Sequence, residues 1–382
     1  MSKAAKDNLP RIDAEEILAG IREWVEVETP SNDGVAVNRL VDIVERQLRD
    51  VGQKIERIPG TAGFGDVLIG RSPWGEGDKG ILVVAHLDTV HPHGSLAGPM
   101  KWRREGDVVY GPGIYDMKAG GHMAYYAYRH LVRLGRTTKL PITFLFVPEE
   151  EIGSPTSREV IDREARRAKY ALVMEPARDG GKIVLARKGT VIMKLRTRGR
   201  ASHAGVRHQD GRSAIKEMAH QILALEAMTD YATGLTVSVG TITGGTGTNV
   251  VPVECEITLD MRIPSAEMVE ECLARVRNLK VKDPDVTLEV EGGLNRPPYE
   301  TDDGIRALFE HARGLAAEIG FDLQGVKTGG GSDGNFTAAL GVPTLDGLGA
   351  DGKGAHAIDE QIYVSSLEPR TQLLVRLFET LR

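Results

Sequence analysis

The first half of the sequence alternates between two hydrophobic patterns, and this alternation limits the folds available to the chain. Residues 12–27 and 38–52 place apolar side chains at three- and four-residue spacing, which is typical of helices with one buried face. Residues 80–90, GILVVAHLDTV, form a β-branched run typical of a strand buried on both faces. Residues 121–135 predict another helix and 140–148 another strand. This order predicts βαβ units and therefore an α/β fold with a mainly parallel sheet flanked by helices.

The pattern changes near residue 187. From there to about residue 294 the segments follow the order strand, helix, strand, and then the same order again. Helical spacing resumes over 302–320, and the last segment also predicts a helix. We therefore expect a catalytic domain in two parts, 1–186 and 295–382, interrupted by an inserted α+β domain over 187–294.

Composition excludes several classes of function. The chain has 48 Lys and Arg against 54 Asp and Glu, a formal net charge of −6, which argues against nucleic acid as a partner. The two cysteines, Cys255 and Cys272, form no C-x-x-C pair, so neither a disulfide framework nor a thiolate zinc site is expected. The N-terminal residues contain no apolar signal segment, and no apolar run is long enough to span a membrane. We expect a cytoplasmic protein with no membrane partner.

Acidic and imidazole side chains follow several of the predicted strands. They are His86 and Asp88 in GILVVAHLDTV, Asp116 after the turn YGPGIYD, Glu149, Glu150 and Glu151 after FLFVP, Glu175 after YALVM, and, much later, His356 in GAHAIDE. Because the strands of an open parallel sheet end at one crevice, these side chains can converge there. Two histidines with carboxylates and no thiolate suit zinc or another borderline divalent ion.

Each of these residues also has a purely structural explanation. His86 alone could be a hydrogen-bonded core histidine, Asp88 could cap a turn, and Asp116 could form an Asx turn after its glycines. The three glutamates could be the acidic start of a helix that begins near Ser154–Pro155, where the helix dipole favours negative charge. These explanations are less economical together, because each strand end then needs its own.

The spacing of the candidate residues carries physical information. In an extended segment residues i and i+2 lie on the same face, so Asp88 can orient the ring of His86. A carboxylate shared by two cations holds them roughly 3.5–4 Å apart, and Asp116 is the candidate for that position. Glu150 and Glu151 can reach one site only if the backbone turns there, and 152–155 is the expected turn.

Five motifs together resemble those of the dinuclear zinc peptidases and deacylases. They are HLDTV, GPGIYDMKAG, EEEIGS, MEP and GAHAIDE, which follow one another from about residue 80 to residue 360. This family includes glutamate carboxypeptidase, acetylornithine deacetylase, succinyl-diaminopimelate desuccinylase and aminoacylase. GPGI-x-D-x-K and GGGSDGN are most similar to the bacterial glutamate carboxypeptidase branch, which cleaves C-terminal glutamate from folates and acyl-glutamates. One departure is Glu149, because many members have aspartate at this position.

The resemblance implies a zinc exopeptidase-like catalytic domain, an inserted lid and dimerisation domain, and a homodimer formed through that insert. It also implies two Zn²⁺ per chain, with Co²⁺ or Mn²⁺ as substitutes. The implied arrangement has His86 and Glu175 on one ion, Glu151 and His356 on the other, and Asp116 between them. Glu150 is then the general base that takes a proton from water, and Asp88 orients His86.

The same resemblance implies roles for residues of the insert and its surroundings. His203 in GRASHAGV would stabilise the oxyanion in the neighbouring subunit's site, and four residues would contact the substrate: Asn249, Arg262, Gly331 and Ser332. Ordinary explanations compete with three of these roles. His203 could be a loop histidine, Asn249 could serve a glycine-rich turn, and Arg262 could pair with Asp260 on a strand face.

These roles imply a zinc-dependent hydrolase that cleaves an amide bond and releases a C-terminal amino acid, with glutamate as the first candidate, from a peptide, folate-type or N-acyl conjugate. The alternatives are an N-acyl-amino-acid deacylase, a di- or tripeptidase, and a non-catalytic metal-binding protein on the same fold. Residues 347–352, GLGADG, fit a dinucleotide-binding pattern, but too little chain follows for the second strand that such a site needs.

Overall fold

The structure is a computed structural model that describes residues 11–75 and 79–382. Its helices are α1 (Ala14–Val25), α2 (Gly34–Asp50), α3 (Ala119–Arg133), α4 (Arg158–Arg166), α5 (Ala214–Glu226), α6 (Val269–Arg277), α7 (Asp303–Ile319), α8 (Gly334–Ala339) and α9 (Leu367–Thr380). The first eight strands are β1 (Lys54–Ile58), β2 (Val67–Arg71), β3 (Gly80–His86), β4 (Arg103–Glu105), β5 (Val108–Tyr110), β6 (Ile142–Val147), β7 (Ala168–Val173) and β8 (Ile183–Arg187). The others are β9 (Gly189–Arg198), β10 (Thr236–Gly244), β11 (Glu254–Ile263), β12 (Thr287–Arg296), β13 (Gly325–Thr328), β14 (Thr344–Leu345), β15 (Gly352–Lys353) and β16 (Gln361–Tyr363).

A six-stranded sheet forms the centre of the first part of the chain, in the order β1-β2-β6-β3-β7-β14. Strands β6, β3, β7 and β14 are parallel, and β1 and β2 form an antiparallel hairpin at one edge. All seven residues of β3 are buried, as its β-branched composition predicts for a strand covered on both faces. The predicted α/β fold with a mainly parallel sheet is confirmed.

The register of this sheet places the candidate residues at one edge. His86, the last residue of β3, pairs with Val147, the last residue of β6. Val84 of β3 pairs with Val173, the last residue of β7. The carboxyl ends of these three strands therefore lie almost level, and the loops that follow them begin side by side.

Two hydrophobic clusters cover the two faces of the sheet. Helices α1, α2, α3, α7 and α9 contribute apolar side chains to the larger cluster, which includes Trp24, Phe144 and Phe378. Helices α4 and α8 cover the opposite face together with residues such as Ile161 and Phe336. Burial of these side chains supplies the main driving force for the layered arrangement.

The segment between the two parts of the first sheet forms an α+β structure of its own. Its antiparallel sheet has the order β10-β11-β9-β12, and α5 and α6 pack against it around a separate apolar cluster. From Val191 onward, strand β9 alternates between buried residues such as Met193 and more exposed ones such as Lys194, because only one face of this sheet is covered.

The chain folds into two compact units. The first contains the residues up to Leu185 together with Thr301–Lys327 and Ser332–Arg382, and the second contains Ala186–Glu300 and Thr328–Gly331. The second unit begins one residue before the predicted insert and ends six residues after it. None of the described helices combines the length and the hydrophobicity that a membrane crossing requires.

Candidate metal centre

Asp116 lies between two histidines that are far apart in the sequence. Its Oδ1 is 3.2 Å from Nε2 of His86, and its Oδ2 is 3.5 Å from Nε2 of His356. Glu151 approaches the second histidine, with 2.9 Å between its Oε2 and Nε2 of His356. Glu175 approaches the first, with 3.9 Å between its Oε1 and Nε2 of His86. The five predicted metal ligands therefore form one cluster, with the Asp116 carboxylate in its middle.

The ring of His86 is oriented by the backbone. Its Nδ1 lies 3.0 Å from the carbonyl oxygen of Asp88, which can only accept a hydrogen bond. The proton of a neutral imidazole is then held on Nδ1, and the lone pair of Nε2 faces the carboxylates. This tautomer is the one that a metal ligand needs.

The carboxylate of Asp88 has a different main partner from the one predicted. Its Oδ1 is 3.4 Å from Nδ1 of His86, farther than the carbonyl oxygen of the same residue. Its oxygens accept hydrogen bonds from the backbone N–H groups of Glu150 at 3.1 Å and Glu151 at 3.2 Å, and from the hydroxyl of Ser31 at 2.6 Å. Asp88 therefore orients His86 mainly through its backbone, while its side chain fixes the two glutamates.

The three consecutive glutamates have different surroundings because the backbone turns within the triplet. A single 3₁₀ turn covers Glu150–Ile152, and Gly153 follows in the left-handed conformation with φ 94°. The turn begins two residues earlier than the sequence pattern predicted. It lets Glu150 and Glu151 face the same cluster, which an extended strand would prevent.

Glu149 is fully buried and has partners outside the candidate metal-binding cluster. Its Oε1 accepts hydrogen bonds from the backbone N–H groups of Thr156 and Ser157, and the hydroxyls of both residues also donate to its carboxylate. Burial raises the pKa of Glu149, and these hydrogen bonds oppose the rise. The structural explanation offered for the triplet thus applies to Glu149, which binds the donors just before helix α4.

Glu360 organises the loop that carries Asp116, although no sequence pattern predicted a role for it. Its Oε1 accepts the backbone N–H groups of Tyr115 and Asp116, at 2.8 and 2.9 Å. Its Oε2 accepts the N–H of Gly113 at 2.9 Å and lies 2.6 Å from Nε2 of His91. The sequence signal was present, since Glu360 ends the motif GAHAIDE, but no spacing rule connects it to residues near position 115.

His356 has a backbone conformation that few residues other than glycine adopt. Its φ is 64°, and the left-handed region costs a non-glycine residue roughly 1–2 kcal/mol. Its side chain remains about half exposed. A residue held in this conformation and aimed at two carboxylates is typical of a functional position.

The charges of the cluster shift one another's pKa values. Burial disfavours the ionised form of Asp116, but hydrogen bonds from His356 and His86 outweigh it and hold the pKa of Asp116 well below its usual range. Hydrogen bonds to Asp116 and Glu151 raise the pKa of His356 to about 10. Burial raises the pKa of Glu151, and the hydrogen bond from His356 opposes that rise. These carboxylates need a cationic partner, which a divalent ion would supply.

The donor set fits such an ion. Two overlapping groups of ligand atoms each lie within 4.8 Å of one another: His86, Asp116 and Glu151 in one, and His86, Glu150 and Glu175 in the other. Oε1 of Glu151 is buried and accepts no hydrogen bond from any residue that the structure describes. A buried carboxylate oxygen of this kind is costly unless it binds a cation. Imidazole and carboxylate ligands without a thiolate suit zinc and related ions.

His203 lies in the second unit, at an exposed position. Its Nδ1 accepts the backbone N–H groups of Gly205 and Val206, so the proton of the neutral ring is on Nε2. It contributes to an open cavity of about 750 Å³, whose lining also includes Arg200, Arg207 and Arg212. The side chain can therefore donate a hydrogen bond into this cavity.

Two other residues of the second unit have their own local partners. Arg262 forms a bidentate ion pair with Asp260, at 2.7 and 2.9 Å, and donates to the hydroxyl of Thr190 at 3.0 Å. The alternative considered for Arg262 from its sequence is thus what the structure contains. Asn249 is exposed, and its backbone carbonyl oxygen accepts the N–H of Ala204.

Gly331 and Ser332 differ in what they offer a ligand. A Cβ at Gly331 would lie 2.7 Å from Cδ of Arg296, so a larger residue there would displace the Arg296 side chain. The hydroxyl of Ser332 is fully buried, donates to Asp346 and accepts the N–H of Gly334. The Ser332 side chain stabilises the loop before α8.

The fold and the cluster define the class of protein, an enzyme that hydrolyses amide bonds with the help of metal ions. A profile of peptidase family M20/M25/M40 matches residues 82–380. The chain is 30% identical over 385 aligned residues to carboxypeptidase G2 from Pseudomonas sp. strain RS-16, with 98% of this chain and 90% of the relative covered. It is 28% identical to a succinyl-diaminopimelate desuccinylase from Nitrosococcus oceani, with 78% of this chain and 83% of the relative covered.

Solved structures agree with these relationships. Aminopeptidase PepT from Bacillus cereus has a TM-score of 0.78 and 26% identity, with 96% of this chain and 98% of that chain covered. A metallo-carboxypeptidase from Sulfolobus solfataricus, at 18% identity, has a TM-score of 0.74 over 97% of this chain and all of that chain, and it supports the fold alone. The chain belongs to peptidase family M20/M25/M40, which confirms the predicted resemblance.

Proposed function

We propose that this chain uses two divalent metal ions, zinc in the first instance with cobalt or manganese as substitutes, to hydrolyse an amide bond and release a C-terminal amino acid. Glutamate is the first candidate, and the substrate is a peptide, folate-type or N-acyl conjugate. The observation that carries the metal part of this proposal is the Asp116 carboxylate, which directs one oxygen to His86 and the other to His356. The similarity to carboxypeptidase G2 supports the substrate part.

In this proposal each ion has its own pair of ligands besides Asp116. His86 and Glu175 bind one ion, and Glu151 and His356 bind the other. When bound, two such ions would lower the pKa of a water molecule and polarise the scissile carbonyl group.

The remaining steps belong to the side chains of the protein. Glu150 accepts a proton from the water and delivers it to the leaving nitrogen. The carboxylate of Asp88 keeps Glu150 in place by accepting a hydrogen bond from the backbone N–H of Glu150. The Nε2–H of His203 donates to the oxyanion that forms on the substrate, and it does so in the site of the neighbouring subunit of a homodimer. Asn249, Arg262 and the loop at 331–332 contact the substrate, which requires Arg262 to exchange its ion pair with Asp260 for a substrate carboxylate and the loop to act through its backbone, since the Ser332 hydroxyl is buried.

A reducing, cytoplasmic location completes the proposal. Both cysteines of the chain, Cys255 and Cys272, are buried and free. Free thiols agree with a reducing location, because an oxidising extracellular environment favours disulfides. The dimer is open to a direct test, since light scattering of the active enzyme must show more than a monomer if His203 acts across the interface. A fully active monomer contradicts that role.

The experiment that tests the proposed function is a panel of dipeptides and N-acyl amino acids assayed after loading with zinc, cobalt or manganese. Free and amidated C-termini are compared for each compound, and Glu150→Gln is the matched inactive control. We expect the free carboxylate to be required and Glu150→Gln to retain metal while losing most of its turnover. Equal turnover of amidated substrates contradicts the carboxypeptidase assignment.

A second candidate function is removal of an N-acyl group from an amino acid. The similarity to a succinyl-diaminopimelate desuccinylase favours it, and it uses the same metal chemistry. The same panel separates the two, because a deacylase is selective for the acyl group and a carboxypeptidase for the released amino acid.

A further inference from the structure

Arg178 follows β7 by five residues and occupies a rigid position beside the metal-binding cluster. It exchanges backbone hydrogen bonds with Lys182, at 2.8 and 2.7 Å, across a tight turn in which Asp179, Gly180 and Gly181 all have positive φ. The preceding N–H, of Ala177, donates to the carbonyl of Ala350 at 3.0 Å. The backbone of Arg178 is therefore held from both sides.

The contacts of Tyr115 place this turn next to the loop that carries Asp116. The hydroxyl of Tyr115 donates to the carbonyl of Ala177, the residue before Arg178, and Tyr115 itself precedes Asp116 in the chain. Burial raises the pKa of Tyr115 to about 12, and the positive charge of Arg178 opposes that rise. The guanidinium thus lies close enough to this loop to act on its charges.

The guanidinium of Arg178 lacks a hydrogen-bond partner in the part of the chain that the structure describes. Within residues 11–75 and 79–382 its side chain forms neither an ion pair nor a hydrogen bond, and its Nε is buried with no acceptor. The residue as a whole is only partly buried, so part of it remains accessible. A buried guanidinium N–H without an acceptor is costly, and proteins rarely keep one that has no use.

Other arginines of the chain show how these donors are usually satisfied. Arg370, on the other side of the same turn, donates to the carbonyl groups of Gly181, Gly347 and Gly349 and is fully used by the fold. Arg262 has a carboxylate partner in Asp260. Arg178 differs from both in having a buried N–H that no described residue accepts.

The charge of the cluster explains why an anionic substrate needs such a residue. Five carboxylates converge there, those of Asp88, Asp116, Glu150, Glu151 and Glu175, and they outnumber the charges of two divalent ions. A carboxylate on the substrate therefore gains little from the cluster as a whole and needs its own cationic partner. A guanidinium is suited to this because its fork matches both oxygens of a carboxylate.

We propose that Arg178 binds a carboxylate group of the substrate and so contributes to the selection of acidic substrates. This inference rests on the proposed function for the identity of the reaction, and it adds a specificity-determining residue in the first unit. The carboxylate can be the terminal one or that of an acidic side chain, and the experiment distinguishes the two.

The test compares Arg178→Ala and Arg178→Lys with the wild type on matched substrates. N-acyl-glutamate is paired with N-acyl-glutamine, which lacks the side-chain carboxylate, and with a C-terminally amidated form, which lacks the terminal one. Arg166→Ala is the control, since Arg166 is an exposed arginine at the end of α4. Zinc content is measured for every variant.

Arg178→Ala should lower kcat/KM for N-acyl-glutamate roughly ten- to a hundredfold, mainly through KM, since a charge-assisted hydrogen bond is lost. The loss should shrink for whichever neutral analogue lacks the bound carboxylate, and zinc content should stay at the wild-type value. Arg178→Lys should recover part of the loss. An equal loss on charged and neutral substrates, or no loss at all, overturns the proposal, since Arg178 then only offsets the charge of the cluster or does nothing there.

Binding separates this inference from the proposed function. If the zinc-loaded wild type hydrolyses none of the panel, the proposed function fails, and calorimetry with N-acetylglutamate and N-acetylglutamine as probes still decides the role of Arg178. Weaker binding of one acidic probe to Arg178→Ala, with the Arg166→Ala control unchanged, supports the proposal. Identical affinities for wild type and Arg178→Ala overturn it.

Discussion

Glu360 accepts a hydrogen bond from the backbone N–H of Asp116 at 2.9 Å, although 244 positions separate the two residues in the chain. The same carboxylate also binds Gly113, Tyr115 and His91. Because this buried carboxylate binds four donors, it fixes the position of the loop that carries Asp116, the central residue of the cluster. Supporting residues of this kind position metal ligands without touching the metal.

Replacement of Glu360 should weaken metal binding more than it weakens folding. Glu360→Ala removes every acceptor from the Asp116 loop, and we expect zinc affinity to fall about 10- to 100-fold. Glu360→Gln keeps one carbonyl oxygen and should have an intermediate effect. Competition with a chelator measures the affinity, and Glu368→Gln, an exposed glutamate on α9, is the control. Wild-type zinc affinity in Glu360→Ala would show that the loop is held by other contacts.

The three consecutive glutamates should respond differently to the same substitution. Glu149→Ala leaves the donors of Thr156 and Ser157 without an acceptor in a buried place, and we expect a loss of about 1–3 kcal/mol in the free energy of unfolding. Glu151→Ala should instead lose bound metal, and Glu150→Ala mainly the rate. Urea denaturation and metal analysis of the three variants make the comparison. A shared response would contradict the division of roles.

Gly20→Ala should destabilise the protein although alanine is the better helix former. Gly20 lies within α1, where the exchange would ordinarily gain about 1 kcal/mol. Here a Cβ would lie 2.0 Å from Nε2 of His122, and that ring is buried against Trp24 and Tyr125. Because the ring is buried, we expect the collision to outweigh the gain in helix propensity. Thermal unfolding shows whether the substitution raises or lowers the melting temperature. The control is Gly314→Ala in α7, where an added Cβ would contact no other atom.

His122 should make the protein less stable at acidic pH. Burial lowers the pKa of His122 to about 3, whereas the ring titrates near 6.5 in the unfolded chain. Between these values the unfolded state binds a proton that the folded state does not, so the free energy of unfolding falls as pH falls through this window. The slope from this one group is about 1.4 kcal/mol per pH unit.

The measurement is urea denaturation at several pH values between 7 and 4, for the wild type and for His122→Asn. Because carboxylates elsewhere contribute equally to both proteins, the difference between the two curves isolates His122. We expect the variant to lose less stability on acidification even if it is less stable at pH 7. Parallel curves would show that His122 is not the source of the slope.

Local patterns in the sequence were sufficient for the helices and strands. The spacing of apolar residues predicted α1 and α2, and the β-branched run of residues 80–90 predicted β3, because burial of one face or of both faces imposes a period on the sequence. The same patterns located an α+β segment after residue 186. They are local properties, so no contact between distant residues was needed to recognise them.

The metal-ligand types were also predicted from sequence, since the side chains that end parallel strands meet at one edge of a sheet. The structure brings His86, Asp116, Glu151, Glu175 and His356 into a single cluster. Which glutamate of the triplet faces that cluster was harder to predict. The turn at 150–152 depends on hydrogen bonds from Glu150 and Glu151 to Asp88, a residue about sixty positions away.

The sequence by itself therefore determined the α/β fold, the family and the chemical nature of the site, because periodicity and motif order are written along the chain. Only the tertiary structure decided what surrounds that site: Glu360 bound to the N–H of Asp116, the carbonyl of Asp88 on His86, and an Arg178 Nε that meets no acceptor among the described residues. These are contacts between residues distant in sequence. Burial and hydrogen-bond geometry select them, and neither is a property of a residue and its neighbours along the chain.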